Sequence, residues 1–236
     1  MTKLTAPTNP VIESAEIHLW QLHHTGNEVL SESWLDTLEL ARVAGFSSQI
    51  QSRRYLAFRC AIRRILSSYL DVAPQALKFS IAAGGKPVIS SPDCNLQFNL
   101  SHTGDRGLLA VARDMQVGVD LEAVRSLKYR QGIAERVFSP SEIKLLSQTP
   151  AEKWDQVFFQ LWTCMEARQK CKGKGIFSDK ISNQSVGLHQ FTPMPGYCGA
   201  VAWDDPTVEA SFKYFLITPE APAINLGMPT TERTEI

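Results

Sequence analysis

The stretch Val117-Gly118-Val119-Asp120-Leu121-Glu122 decides how this chain is interpreted, together with the later stretch Trp162-Thr163-Cys164-Met165-Glu166-Ala167-Arg168-Gln169-Lys170. In the first stretch apolar and polar positions alternate, which predicts a β-strand with Asp120 and Glu122 on one face. The second stretch predicts a helix, from which Glu166 would reach the same face. Three carboxylates from two elements suit a hard divalent cation such as Mg2+, particularly one shared with phosphate oxygens. Two acids on a strand are more often a solvated face, so the metal interpretation depends on the motifs around them.

The composition is that of an ordinary globular protein. The chain has 236 residues, with 24 Lys plus Arg and 24 Asp plus Glu, so it lacks the overall basic charge typical of nucleic-acid-binding proteins. We therefore expect no nucleic-acid partner. No apolar run reaches the length of a membrane span, and residues 1–10 have no signal-peptide core. We expect no membrane partner and a cytoplasmic location.

The five cysteines are widely scattered and none is spaced as C-x-x-C, which argues against a structural zinc site. We predict free thiols, mostly buried, in a reducing compartment. These residues are Cys60, Cys94, Cys164, Cys171 and Cys198.

Hydrophobic periodicity predicts an α+β fold in which helices and then strands occur twice. The chain divides into an N-terminal half, 1–114, a C-terminal half with the carboxylates, 115–217, and a frayed tail, 218–236. Each half is expected to be an antiparallel sheet packed with helices. The predicted helices are 34–44 with a capping box starting at Ser33, 48–70, a helix starting at Ser139, and 154–172, ended by Gly173 and Gly175. The predicted strands lie near 17–22, 79–88, 96–112, 117–122 and within 185–217.

Basic residues crowd two segments. The first holds Arg53, Arg54, Arg59, Arg63 and Arg64, and the second holds Lys170, Lys172 and Lys174. Such clusters more often form solvated faces, and most of these arginines fall outside the apolar stripe of the 48–70 helix. Two clusters in one small protein are also suited to flank an anionic ligand.

Four motifs occur in order: Gly85-Lys86-Pro87, Phe98-Asn99-Leu100-Ser101-His102-Thr103, the strand of Asp120, and the helix that carries Trp162, Glu166 and Lys170. Each motif alone is weak, but their order and spacing are specific. Over roughly residues 50–180 the chain resembles the 4′-phosphopantetheinyl transferases of the large, surfactin-synthetase-activating type. The resemblance implies two similar α+β halves, a coenzyme A site in the cleft between them, and a monomer.

The resemblance also implies an activity. The 4′-phosphopantetheine arm of coenzyme A would be transferred to a serine of an apo acyl carrier protein, or of a peptidyl or aryl carrier domain. The products would be the holo-carrier protein and adenosine 3′,5′-bisphosphate. The reaction would need Mg2+, with Mn2+ as an alternative.

Residue roles follow from the matched motifs. Asp120, Glu122 and Glu166 would bind the metal, Glu166 or a water oriented by Glu122 would serve as the base, and Lys170 would contact a phosphate. The coenzyme A contacts implied by the resemblance are Arg53, Arg59, Lys86, Pro87, Ser101 and His102. Several have a plainer alternative: Lys170 and Glu166 form a helix ion pair, Lys86 is a solvated turn residue, His102 is a structural histidine, and the arginines cover a helix surface.

One position departs from the family pattern, since Met165 replaces the lysine that usually precedes the helix glutamate. Methionine cannot donate a charged hydrogen bond, and its place in the apolar stripe predicts that it packs. We expect a slower or more weakly binding enzyme. Two alternatives remain open: a non-catalytic descendant that binds coenzyme A or a carrier protein, and a different metal-dependent phosphoryl enzyme.

Overall fold

The computed structural model describes residues 4–5, 9–173 except 27, 29 and 83, and 185–217. Gly175, Lys174 and the tail 218–236 lie outside these residues. The described strands are β1 (Leu4–Thr5), β2 (Glu16–His23), β3 (Lys78–Ile81), β4 (Pro87–Ser91), β5 (Leu96–Thr103), β6 (Arg106–Arg113), β7 (Val117–Ala123), β8 (Gly187–Phe191), β9 (Tyr197–Trp203) and β10 (Ser211–Leu216). The described α-helices are α1 (Thr37–Ala44), α2 (Gln49–Leu70), α3 (Arg130–Val137), α4 (Pro140–Gln148) and α5 (Ala151–Cys171).

The two halves share one topology. In the first, β2 is followed by α2 and then by β5 and β6, and the sheet order is β2-β6-β5. In the second, β7 is followed by α5 and then by β8 and β9, and the order is β7-β9-β8. The last strand of each half lies in the middle and is antiparallel to both neighbours. The predicted α+β fold with two similar halves is therefore confirmed.

Apolar side chains form successive layers between these elements. One buried cluster lies between α2 and the first sheet, and includes Phe58, Ile62 and Trp20. A second joins the two sheets, with Leu19 and Ala110 from one and Val119 from the other. A third packs Cys164, Ala167 and Cys171 of α5 against β9. The layers run α2, first sheet, second sheet, α5, because each sheet buries both of its faces.

One strand lies in a different sheet from that expected. β10, which we assigned to the C-terminal half, pairs in parallel with β2 of the first sheet, and Phe215 stacks on Trp20 at a centroid distance of 4.5 Å. The first sheet has the order β1-β10-β2-β6-β5 and is therefore mixed, so the expectation of a purely antiparallel sheet was wrong there. The apolar pattern of β10 predicts a strand but carries no information about its partner.

Helix boundaries follow the predicted start and stop signals closely. α2 begins after the N-cap Ser48, and α4 begins at the predicted start, where Ser139 and Glu142 form a capping box. α5 ends before Gly173, whose φ is +63°. The first helix is the exception: its capping box is formed by Asp36 and Glu39, three residues after the predicted Ser33, because residues 32–34 form a short 3-10 turn.

A buried ion-pair network joins α1 to α2. Glu39 accepts hydrogen bonds from Arg63, at 2.6 and 2.9 Å, and also contacts Arg59. Arg63 is fully buried and donates to the carbonyls of Pro74 and Leu77 at 2.9 and 2.8 Å. Arg63, predicted to lie outside the buried stripe of α2, is therefore part of the interior.

The five cysteines are free thiols, and all except the half-buried Cys94 are buried. Burial raises the pKa of the Cys164, Cys171 and Cys198 thiols to about 11. None of the described helices has the combination of length and apolarity needed to span a membrane.

Candidate functional site

Asp120 lies at the centre of a hydrogen-bonded cluster that joins the two halves. Its carboxylate is 2 % exposed, and Oδ1 accepts from Ser101 Oγ at 2.8 Å and from Lys170 Nζ at 2.6 Å. Lys170 Nζ also donates to Ser101 Oγ at 3.1 Å. Ser101 comes from β5 of the first half, whereas Asp120 and Lys170 come from β7 and α5 of the second. The predicted strand, helix and serine motifs therefore meet at one point.

Glu166 lies beside this cluster and adds a second buried carboxylate. It is 8 % exposed, and its Oε2 is 3.4 Å from Lys170 Nζ. Burial and the charge of Asp120 raise the pKa of Glu166 above its ordinary value, although Lys170 opposes the shift. The pKa of Lys170 is also raised, because Asp120 and Glu166 outweigh the unfavourable burial of its charge. The ammonium therefore remains charged between two carboxylates.

Glu122 lies at the outer end of the same strand and has a different partner. Its Oε2 accepts from Arg125 at 2.8 Å, and the Arg125 guanidinium lies 4.8 Å from the centroid of the Phe159 ring. Among the described residues, no three His, Cys, Asp or Glu side chains form a ready metal-binding set. Asp120 and Glu166 are thus close together around Lys170, while Glu122 is held to one side.

The residues at Asp120 nevertheless fit a divalent cation. Asp120 Oδ2 is buried, and no hydrogen-bond donor among the described residues reaches it. An unpartnered buried carboxylate oxygen is costly, so it marks a position where a cation would be favourable. The charges of Asp120 and Glu122 both raise the pKa of Glu166, which indicates that the three carboxylates carry excess negative charge in one region. Oxygen ligands of this kind suit Mg2+.

Gly118 explains how α5 comes so close to β7. A Cβ atom at this position would lie 2.1 Å from the Cys171 backbone N and 2.2 Å from the Ala167 backbone O. Only glycine leaves room for the helix backbone, and this contact brings Glu166 and Lys170 to Asp120. The glycine next to the acidic residues was quoted in the sequence motif, but its packing role was not inferred.

The arginines of α2 differ in their surroundings. Arg59 contacts Glu39, and its guanidinium lies 5.0 Å from the centroid of the Phe79 ring. Arg53 is exposed. Arg54, which sequence reasoning did not select, pairs with Asp105 at 2.7 Å, in the turn that follows the His102 strand. The sequence offered one signal for Arg54. It lies four residues before Phe58 on the same helix, and Phe58 stacks on His102.

His102 stacks on Phe58, with centroids 5.0 Å apart and an interplanar angle of 22°. The residue as a whole is exposed. Burial against Phe58, followed by the charges of Arg54 and Lys170, lowers the pKa of the imidazole. The charges of Arg54 and Lys170 therefore act on His102 and make its imidazole harder to protonate.

Lys86 is buried rather than solvated. Its ammonium donates to Gln116 Oε1 at 3.0 Å and to the Val117 carbonyl at 2.8 Å, at the junction between the halves. Burial lowers its pKa. Pro87 follows as the first residue of β4 and lies opposite Ile81. The plainer alternative of a solvated turn lysine was wrong.

Comparison with known proteins identifies the family. The model of the 4′-phosphopantetheinyl transferase superfamily matches residues 116–194, and the model of the 4′-phosphopantetheinyl transferase N-terminal region matches residues 23–114. The 4′-phosphopantetheinyl transferase HetI of Nostoc sp. is 38% identical over 180 residues, which cover 74% of this chain and 76% of the relative. The chain belongs to the 4′-phosphopantetheinyl transferase superfamily.

Other members of the superfamily are also similar. The 4′-phosphopantetheinyl transferase psf-1 of Bacillus pumilus is 35% identical over 147 residues, covering 62% of this chain and 58% of the relative. The 4′-phosphopantetheinyl transferase Sfp of Bacillus subtilis is 30% identical over 146 residues, covering 61% and 62%. The resemblance seen in the four motifs is confirmed.

Met165 directly precedes Glu166 on α5. It is half-buried, and within the described part of the chain it belongs to neither buried cluster that involves α5. The expectation that it simply packs in the apolar stripe is therefore not supported. The residue therefore remains partly accessible to solvent.

Proposed function

We propose that this protein transfers the 4′-phosphopantetheine arm of coenzyme A to a serine of an apo carrier protein. The products are holo-carrier protein and adenosine 3′,5′-bisphosphate. The observation that carries this proposal is the cluster of Asp120, Glu166, Lys170 and Ser101, formed where the two halves meet in a chain of this superfamily. The free thiols support a cytoplasmic location. One chain supplies both halves, which supports a monomer.

The side chains divide the chemical work. Lys170 holds a fixed positive charge, whose raised pKa keeps it protonated, and is suited to a phosphate of coenzyme A. Glu166, whose pKa burial and the charge of Asp120 raise in the metal-free protein, is the candidate base for the serine proton. His102 and Arg54 supply further contacts for phosphate on the side of the first half. Ser101 holds the Asp120 carboxylate in place.

Asp120 and Glu166 would hold a Mg2+ ion, with Glu122 as a third ligand after release from Arg125. When bound, the metal would neutralise negative charge on the pyrophosphate oxygens of coenzyme A. The unpartnered Asp120 Oδ2 supports this assignment.

The reaction is tested by intact-mass spectrometry. An apo acyl carrier protein is incubated with this protein, coenzyme A and Mg2+, and a phosphopantetheine-sized mass gain that EDTA abolishes is expected. Peptidyl and aryl carrier domains are assayed in parallel. Absence of any gain with several carriers, together with Mg2+-dependent coenzyme A binding in calorimetry, would instead support the non-catalytic alternative, for which Met165 is the motivating residue. Phosphate release from small nucleotides without a carrier would support a different phosphoryl enzyme.

Met165→Lys is expected to raise kcat/KM for coenzyme A by a factor of about 5 or more. The new ammonium would lie beside Glu166 and donate a charged hydrogen bond to phosphate, which is typically worth about 1–3 kcal/mol. Steady-state kinetics at several coenzyme A concentrations measure the effect. Met165→Gln, of similar length but uncharged, is the control and is expected to stay near wild type. An equal gain in both variants, or no gain in either, would show that charge at this position is unimportant.

Coenzyme A affinity is expected to increase as the pH falls through the range in which His102 titrates. The pKa of His102 is below 6.5 in the free protein, whereas contact with an anionic phosphate favours the imidazolium and raises it in the complex. Binding thus takes up a proton, and the gain reaches at most about tenfold per pH unit before it levels off below the free-protein pKa.

Calorimetric titrations between pH 6 and 8 measure this dependence. Phosphate itself titrates near pH 6 and contributes its own pH dependence to the affinity. The wild type is therefore compared with His102→Asn, whose coenzyme A affinity should depend less on pH. Identical pH profiles in the two proteins would mean that His102 does not contact phosphate.

A further inference from the structure

The outer edge of β7 has no strand partner among the described residues. β7 pairs with β9 on one side, and the order β7-β9-β8 leaves its other side facing β5 of the first half. An edge strand of this kind presents backbone N–H and C=O groups that need partners when they are buried. Val117 and Val119 are both fully buried, so these requirements apply at both positions.

Two side chains from the first half meet these backbone groups. Asn99 Oδ1, on β5, accepts from the Val119 N–H at 2.9 Å. Lys86 Nζ, which precedes β4, donates to the Val117 carbonyl at 2.8 Å. Asn99 and Lys86 are themselves 7 % and 8 % exposed, so neither contact is a surface feature. Side chains thus replace the hydrogen bonds that a neighbouring strand would make.

The equivalent strand of the first half has a neighbouring strand at its outer edge. β2 occupies the same topological place as β7, and its outer edge is covered along six residues by β10. At β7, two side chains near the start of the strand satisfy the backbone groups in place of a neighbouring strand.

We propose that Asn99 and Lys86 are positioning residues that attach the edge of β7 to the first half and so fix Asp120 relative to the cleft. Asn99 lies two residues before Ser101 on the same face of β5, and Ser101 in turn donates to Asp120. The effect of this capping on a metal held by Asp120 rests on the proposed function. The capping of β7 itself does not depend on that function. Lys86 acts here through the Val117 carbonyl, and no contact with coenzyme A is required of it.

Amide hydrogen exchange of the 15N-labelled full chain, followed by NMR, tests the capping. In Asn99→Leu, which keeps a similar shape but has no acceptor, the Val119 amide is expected to exchange about tenfold faster or more. Asn95→Leu is the matched control, because it makes the same substitution just before β5, at a side chain that donates to Asp114 at 2.7 Å and accepts from Arg113 at 2.6 Å. There the Val119 rate is expected to stay within about twofold of wild type. Asn99→Ala serves if the leucine variant does not fold.

Mn2+ titration of the same variants tests the positioning. Affinity is expected to fall about fivefold in Asn99→Leu and to remain unchanged in the control, with similar thermal stability in both. An unchanged Val119 exchange rate in Asn99→Leu would contradict the capping. Faster exchange with unchanged Mn2+ affinity would contradict the positioning role. A wild-type protein that binds no Mn2+ and modifies no carrier would contradict the proposed function, and the Val119 rates would still decide the capping.

Discussion

Asp120→Asn is expected to lower the rate of carrier-protein modification by at least about a hundredfold while the protein stays folded. The substitution keeps the shape of the side chain and the oxygen that accepts from Ser101 and Lys170 at 2.8 and 2.6 Å. It removes the negative charge and replaces the unpartnered oxygen with an amide that cannot bind a cation. Loss of one preorganised electrostatic group commonly costs about 10^2–10^3 in rate.

The measurement is the initial rate of mass gain on an apo carrier protein, with circular dichroism to confirm folding. Asp204→Asn is a suitable control, since Asp204 Oδ1 accepts from the Gln116 backbone N–H at 3.0 Å, also at the junction between the halves but away from the cluster. The control should retain most of the activity. If Asp120→Asn kept more than about a tenth of the wild-type rate, Asp120 could not be an essential metal ligand.

Arg63→Leu is expected to lower the free energy of unfolding by about 3–5 kcal/mol, the usual cost of removing one partner from a buried ion pair. Arg63 is fully buried and satisfies Glu39 and the carbonyls of Pro74 and Leu77 at the same time. Without Arg63, the buried Glu39 carboxylate would lose part of its positive charge partner. The Pro74 and Leu77 carbonyls would lose their hydrogen-bond donor. Urea denaturation measures the change.

Arg53→Leu is the matched control, because Arg53 lies on the same helix and is exposed. Its effect should stay within about 0.5 kcal/mol. Adding Glu39→Leu to Arg63→Leu should recover part of the lost stability, since removing both charges avoids an unpaired buried carboxylate. A loss below about 1 kcal/mol in Arg63→Leu would refute the view that this network holds α1 to α2.

Much of the fold was predictable because it depends on local sequence. The N-cap Ser48, the capping box at Ser139 and the stop at Gly173 depend on backbone groups within a few residues, so the helix ends were predicted closely. Alternation likewise predicted the strand of Asp120. The capping box of α1 was misplaced because Ser33 and Asp36 are both good caps, and only the path of the chain selects between them.

The sequence selected several residues that meet in the structure, but it did not predict their contacts. The order of four motifs identified Asp120, Glu166, Lys170 and Ser101, and the structure brings these residues together. Ser101 and Lys86 were assigned to coenzyme A by the resemblance. The structure shows Ser101 on Asp120 and Lys86 on the Val117 carbonyl, across separations of 19 and 31 residues. Arg59 is likewise paired with Glu39, 20 residues away.

The sequence by itself determined four of the five described α-helices, most strands, the repeated order of elements and the family of this protein, because periodicity, capping and motif spacing are properties of neighbouring residues. The short helix α3 was not predicted. Only the tertiary structure decided that β10 joins the first sheet, that Gly118 admits α5 against β7, and that Asn99 and Lys86 cap the edge of β7. These contacts join residues that are distant in sequence. When the two halves pack, some backbone groups and charges are buried without a partner, and these contacts supply the partners.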